Sequence, residues 1–170
     1  MIPAAFEYHR PESLTGVLHL MRDYEGDVRV LAGGMSLIPM MKLRLYRPTV
    51  LVDLARVSEL SGIQESANGL TIGAMTTYHE IETSPLVRQH APLLAETVHE
   101  VGDLQVRNRG TVGGAAAHAD PAADTPAALL ALEARFGVAG GLRPRLVRAD
   151  RMFVEPYTTA LHEKEIITSL

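Results

Sequence analysis

Residues 30–37 read Val30-Leu31-Ala32-Gly33-Gly34-Met35-Ser36-Leu37, and the fold turns on how they are read. The apolar run from Val28 to Leu31 has the make-up of a short buried strand entering a glycine pair. Ser36 then stands where a short helix can begin, with Leu37, Ile38, Met40 and Met41 in it and Pro39 tolerated in its first turn. A strand, a glycine turn and a helix start also make an anion site. Glycine lets backbone approach a ligand closely, and amides at a helix N-terminus point toward negative charge. The plainer alternative is an ordinary strand-to-helix turn. The pattern is neither G-x-G-x-x-G nor a Walker loop, because Lys42 lies too far along.

The flanking sequence fits a βαβ-type lobe over residues 1–57. Leu14, Val17, Leu18 and Met21 recur at helical spacing within 12–25, with Ser13 or Glu12 as a start and Gly26 as a stop. Val50 to Leu54 reads as a second buried strand. Residues 58–170 change character and are expected to form a second, α+β lobe. A hairpin is expected around an Asn68-Gly69 turn, between 62–65 and 70–72. Helical patterns cover 77–83 and 92–101, separated by prolines at 85 and 92. A buried helix is expected from Pro126 to Ala134, and strands at 135–139, 145–148 and 165–168.

Composition narrows the function classes. The chain has 170 residues and no cysteine, which excludes disulfides, thiol catalysis and an iron–sulfur cluster held by this chain. A net charge of −4 argues against nucleic-acid binding by phosphate neutralisation. No apolar run reaches the roughly 20 residues of a membrane span, and the first residues lack a signal-peptide pattern. A soluble cytoplasmic protein is expected. The scattered histidines show no H-x-H or H-E-x-x-H spacing, so no metal site is expected. Arg143, Arg145, Arg148 and Arg151 form a basic stripe, read as a solvated strand face or a docking surface for a partner.

A second glycine motif, Gly110-Thr111-Val112-Gly113-Gly114, is followed by Asp120-Pro121 and Asp124. It is expected to add backbone amides, a hydroxyl and a close approach. Asp120 or Asp124 could accept from a ribose diol, as acidic residues do in other nucleotide sites, or could merely cap the next helix. Two such motifs in one chain suggest a diphosphate gripped from both sides, hence a dinucleotide.

The strings AGGMSLIPMMKLRL (32–45), TIGAMT (71–76), QVRNRGTVGG (105–114) and DPAADTPAALLAL (120–132) resemble the FAD-binding medium subunit of the molybdenum hydroxylases, the xanthine dehydrogenase family. The carbon monoxide dehydrogenase type is the nearest in pattern. The resemblance runs from residue 1 to 170. It implies the two-lobed FAD-binding domain of the vanillyl-alcohol oxidase (PCMH) type. By motif position, Leu31, Ala32, Gly33, Gly34, Met35, Ser36 and Leu37 would form one FAD loop, and Gly110, Thr111, Gly113, Gly114 and Ala115 the other. Thr76 would lie near the flavin or phosphates, Asp124 would bind the adenosine ribose, Val101 would line the apolar part, and Ile167 would lie near the isoalloxazine. Met35 and Ala115 replace residues whose side chains usually hydrogen-bond there, which weakens binding. The family continues into a C-terminal domain, so the chain is expected to be a fragment or to receive that part from elsewhere. The resemblance further implies an oxidoreductase role without a catalytic acid or base. Electrons would pass from a molybdopterin-binding large subunit through a 2Fe-2S small subunit to FAD, and on to an acceptor. Rivals are an FAD-free scaffold subunit and a stand-alone flavin oxidoreductase.

Overall fold

The computed structural model describes residues 2–66 and 69–170. Its first lobe is a three-stranded parallel sheet of β1 (Glu7–His9), β2 (Val28–Leu31) and β3 (Val50–Asp53), in the order β1-β3-β2. Helix α1 (Leu14–Asp23) joins the first two strands and α2 (Leu37–Lys42) the second two. The Ser13 hydroxyl caps α1 by accepting from the Gly16 amide, Val17 and Met21 are its buried face, and Gly26 turns the chain back at φ 101°. All four residues of β3 are buried, as suits the central strand of a parallel sheet covered on both faces. Strand β1 was not anticipated. Its residues are mostly exposed, and register with β3 alone makes it a strand.

The second lobe opens with the antiparallel hairpin β4 (Ile63–Ser66) and β5 (Gly69–Ile72). The expected turn residue Asn68 lies outside the described residues. Six helices follow: α3 (Tyr78–Thr83), α4 (Pro85–His90), α5 (Pro92–Glu100), α6 (Leu104–Arg107), α7 (Val112–His118) and α8 (Asp124–Ala131). Next come β6 (Arg135–Ala139), β7 (Arg145–Arg148), α9 (Ala149–Met152), β8 (Phe153–Glu155), β9 (Thr158–Thr159) and β10 (Ile166–Ser169). Strands β10, β6 and β7 form an antiparallel sheet in that order. Three expectations need correction. Pro85 begins α4 at a first-turn position rather than simply separating helices. The helix expected at 126–134 runs from Asp124 to Ala131. The second glycine motif is the first turn of α7, not a loop.

Helix α3 carries a reciprocal cap. The Thr77 hydroxyl accepts from the Glu80 amide at 3.3 Å, and Glu80 Oε2 accepts from the Thr77 amide at 2.7 Å. Thr77→Ala removes one half of the box and is expected to cost about 1 kcal/mol. Thermal melting should show a fall of roughly 2–4 °C; an unchanged midpoint would mean that tertiary packing alone holds the turn.

The larger core gathers Ile72, Ile81, Leu94, Val98, Val112, Leu129, Phe136, Val138, Met152 and Ile167. The first lobe's core is built on Val17, Met21, Val50, Val52, Leu54 and Val57, and it also takes in Leu60 and Ile166. Successive side chains of a strand point to opposite faces. In β10 this sends Ile166 into one core and Ile167 into the other, so a single strand stitches the lobes together. The chain end is held to β5 by a reciprocal pair, Ile72 N–H to Leu170 O and Leu170 N–H to Ile72 O, each 2.8 Å. Among the described residues, no helix is long and apolar enough to cross a membrane, and no group of three or more His, Cys, Asp or Glu side chains is placed to hold a metal ion.

Candidate FAD site

The two glycine motifs, almost 80 residues apart in sequence, meet in space. A Cβ on Gly33 would lie 2.8 Å from the carbonyl carbon of Arg109, closer still to its oxygen, and 3.0 Å from Gly110 Cα. Only hydrogen fits there, so the loop after β2 is seated directly on the backbone that leads into α7. Gly34 takes φ 80° to carry the chain from this contact into α2. Among the described residues, the amides of Gly33, Gly34, Met35 and Ser36 donate to nothing. Ser36 occupies the N-cap position but makes no capping bond, contrary to the sequence reading, so its hydroxyl is also uncommitted. A run of unspent donors at a close backbone approach is what an anionic ligand needs.

The second motif works differently from the expectation. Most of its amides are already used: Gly110 donates to Val106 O at 2.6 Å, Val112 to Thr76 O at 3.1 Å, Gly113 to Ala74 O at 2.9 Å, and Gly114 to the capping hydroxyl of Thr111 at 3.2 Å. Gly113 is a packing device, since a Cβ there would fall 2.7 Å from Ala74 O. Gly114 similarly lets α7 come up to Ala32, which its Cβ would approach at 3.2 Å. The Thr111 hydroxyl accepts from Gly114 and keeps its own proton to donate. This motif therefore shapes the site, while the first supplies donors.

Both motifs line one cleft of about 690 Å³ between the lobes, a volume in the range of cofactor sites. Of the residues singled out from sequence, Ala32, Gly33, Gly34, Met35, Ser36, Leu37, Val101, Gly110, Thr111, Gly113, Gly114, Ala115 and Ile167 line it. Three do not. Leu31 is buried beneath the loop in a small core with Met41 and Leu51. Thr76 is fully buried, and its hydroxyl is committed to Gly62, accepting from the amide at 3.0 Å and donating to the carbonyl at 3.1 Å. Asp124 is exposed at the start of α8, outside the lining.

Asp120, read from sequence as a possible ribose acceptor, and His118 just before it border the cleft, and so do Tyr46, Tyr78, Tyr157 and Lys164, for which the sequence carried no signal. Burial raises the Tyr78 phenol's pKa, and its hydroxyl pairs with Thr125 at 3.3 Å. Among the described residues, the Lys and Arg side chains in the lining are Arg29 and Lys164. Arg29 is paired with Asp27 at 2.7 Å. Lys164 donates to the backbone oxygen of Arg22 at 3.2 Å and makes no ion pair among the described residues, which leaves its charge for an anion. The basic stripe divides rather than forming one face. Arg145 is bound to Glu165, and Arg148 to Asp150.

The family described as FAD binding domain in molybdopterin dehydrogenase matches residues 4–170. The carbon monoxide dehydrogenase medium chain of Hydrogenophaga pseudoflava is 45% identical over all of this chain and 59% of its own length. The glyceraldehyde dehydrogenase medium chain of Sulfolobus acidocaldarius is 41% identical, over all of this chain and 60% of the relative. Among solved structures, carbon monoxide dehydrogenase from Hydrogenophaga pseudoflava superposes with a TM-score of 0.97 at 46% identity, covering 99% of this chain and 59% of that one. Quinoline 2-oxidoreductase from Pseudomonas putida 86 superposes at 0.96 with 39% identity, covering 99% and 59%. The chain thus spans about 59% of the length of these relatives. An interlobe cleft of cofactor size, a run of uncommitted amides and glycines that admit only backbone agree with the match over residues 4–170: the chain belongs to the family of FAD-binding domains of molybdopterin dehydrogenases.

Proposed function

We propose that this chain carries FAD as the electron-transfer subunit of a molybdenum hydroxylase. A molybdopterin-binding large subunit and a 2Fe-2S small subunit are its partners, and an external acceptor lies downstream. The observation that carries the reading is the set of free amides at Gly33–Ser36, pressed against the backbone of Arg109 and Gly110. These donors, with the Thr111 and Ser36 hydroxyls and the Lys164 ammonium, suit the FAD pyrophosphate. Val101 and Ile167 offer apolar wall to the ring system. Bound FAD supplies the redox chemistry, accepting electrons and passing them on, and the protein binds, orients and tunes it. No residue of the cleft has to hold or move a proton for that transfer. Backbone atoms carry the anion site, so Met35 and Ala115 weaken it without removing it. This favours the flavin carrier over an FAD-free scaffold.

The test is to purify the native complex anaerobically and follow the flavin absorption bands on adding its substrate. Bleaching of the flavin, with the chain in stoichiometric company of molybdopterin and 2Fe-2S subunits, is the expected result. A chain that purifies alone, or a flavin untouched while the iron–sulfur bands bleach, would sink the electron-transfer reading.

A further inference from the structure

Behind the wall of the cleft, helices α3, α5 and α6 meet on one carboxylate. Glu82, on α3, has a side chain 18% exposed. Its Oε1 accepts from His99 Nδ1 of α5 at 2.7 Å, and its Oε2 lies 3.2 Å from Arg107 Nε of α6. The second contact is an ion pair and not an aligned hydrogen bond, since Arg107 Nε is buried and donates to no atom among the described residues. A carboxylate only accepts, so His99 Nδ1 carries the proton. That bond first, and then the Arg107 charge, hold the Glu82 carboxyl below the usual range, and it is ionised near neutrality. His79, one turn earlier on α3, adds a smaller pull of the same sign. From α4, Arg88 Nε donates to the Glu82 backbone oxygen at 3.1 Å rather than to the carboxylate.

Arg107 lies outside the cleft lining and reaches the cleft through the backbone. Its Nη1 donates to His99 O at 3.0 Å and to Val101 O at 3.2 Å, which closes the C-terminal end of α5 and fixes Val101, a lining residue. Gly102 follows in a left-handed turn, at φ 46°, that brings α6 back toward those carbonyls. At its other end α6 runs directly into the seat of the Gly33 loop. Val106 O accepts from the Arg109 amide at 3.1 Å and from the Gly110 amide at 2.6 Å, and Arg109 and Gly110 are the backbone on which Gly33 rests. The apolar wall and the seat of the anion loop therefore both depend on where one guanidinium is held.

We propose that Glu82 and Arg107 are positioning residues for the flavin site: Glu82, oriented by His99, fixes the Arg107 guanidinium, and Arg107 keeps the Val101 wall and the Arg109–Gly110 seat in register. Neither residue touches the cofactor. A planar guanidinium suits the task, because it faces a carboxylate with one edge and two carbonyls with another, which a lysine ammonium cannot do. A site supported in this way loses affinity when the supporting side chain goes, although every contacting group is still present. The proposal rests on the FAD reading of the cleft.

The test measures the FAD dissociation constant and the visible circular dichroism of the bound flavin in the purified protein. The variants are Arg107→Met, Arg107→Lys, Glu82→Gln and the double variant Glu82→Gln/Arg107→Met. Arg107→Met is expected to weaken FAD by about 10-fold or more and to alter the flavin dichroism. Arg107→Lys keeps the charge beside Glu82 and should recover part of the affinity, and Glu82→Gln should weaken FAD by about threefold. Because Glu82 acts through Arg107, the double variant should bind no worse than Arg107→Met alone. Thr77→Ala is the control, since it loosens the same helix without touching this network, and it should leave both affinity and dichroism unchanged. Wild-type affinity and dichroism in Arg107→Met, additive losses in the double variant, or an equal loss in Thr77→Ala would overturn the positioning role and leave the FAD reading intact. Where Arg107→Met does not fold, the cycle of Glu82→Gln, Arg107→Lys and their combination decides by the same criterion of additivity. A wild type that binds no FAD would overturn the FAD reading and this proposal with it.

Discussion

Gly33→Ala is expected to strip the protein of FAD and to lower its melting temperature together. The single added methyl would sit 2.8 Å from Arg109 C and 3.0 Å from Gly110 Cα, nearer still to Arg109 O. These are backbone atoms, so no side-chain rotation relieves the clash, and the loop after β2 must lift off the entry to α7. Overpacking of this kind costs about 3 kcal/mol, or roughly 6–12 °C in a chain of this size. The binding loss should be larger than the stability loss implies. The displaced segment carries the amides of Gly33–Ser36, and an anion held by several donors at once loses them together when the loop shifts. The dissociation constant for FAD is expected to rise by about 100-fold or more, the equivalent of two lost hydrogen bonds to a charged group. Flavin absorbance per mole of protein after dialysis, beside a melting curve, reads both effects. Gly62→Ala is the control. Its Cβ would meet nothing within 4 Å, although φ is 108°, so about 1 kcal/mol of backbone strain should appear with FAD binding retained. Wild-type flavin content in Gly33→Ala would show that the loop contact does not build the site.

The path from sequence to this site was legible where the signal is local. The strand, glycine pair and helix of residues 28–42 carry their own punctuation, and β2 and α2 follow it closely. Helix α7 was opaque for a physical reason. Two glycines in a first turn read as a loop because glycine is a poor helix former, yet the Thr111 cap and the carbonyls of Ala74 and Thr76 hold the turn from outside. Strand β1 was invisible because three mostly exposed residues have no pattern until β3 pairs with them. The same holds in the cleft. Gly33 could be suspected from its neighbour, but the ring of Tyr157 reaches Asp120 across 37 positions and no spacing rule covers that. The third glycine pair, Gly140-Gly141, offered no reading alone. The structure shows it packed under the segment 164–165, where a Cβ on Gly140 would fall 2.9 Å from Glu165 Cα and one on Gly141 2.8 Å from Glu165 Oε1.

That segment carries the second large expected effect. Glu165 is buried, its side chain only 3% exposed, and it binds Arg145 in a fork: Nε donates to Oε1 at 3.0 Å and Nη2 to Oε2 at 2.6 Å. The His162 amide also donates to Oε2, at 2.8 Å, and Arg145 Nη2 reaches Ala160 O at 2.8 Å. One carboxylate therefore ties β7 to the turn that delivers Lys164, Ile166 and Ile167 to the cleft. Glu165→Ala would strand a guanidinium and an amide together. Breaking a buried pair on one side costs about 3–5 kcal/mol, and Arg145 is a third exposed, so about 3 kcal/mol is expected. Glu165→Gln preserves shape and one acceptor and should lose less. The pair also predicts a pH dependence with a definite sign. The Arg145 guanidinium hydrogen-bonded to Glu165 holds its carboxyl below the usual range. Its contribution is therefore complete above the unfolded glutamate pKa of about 4.3 and is lost as pH falls through the lower folded value. Urea unfolding of wild type and Glu165→Gln should accordingly show a stability gap that is constant near neutrality and narrows on acidification below about pH 4. A gap that persists unchanged into that range would mean that Glu165 acts through shape and packing alone, and that its charge does not secure the strand linking the two lobes.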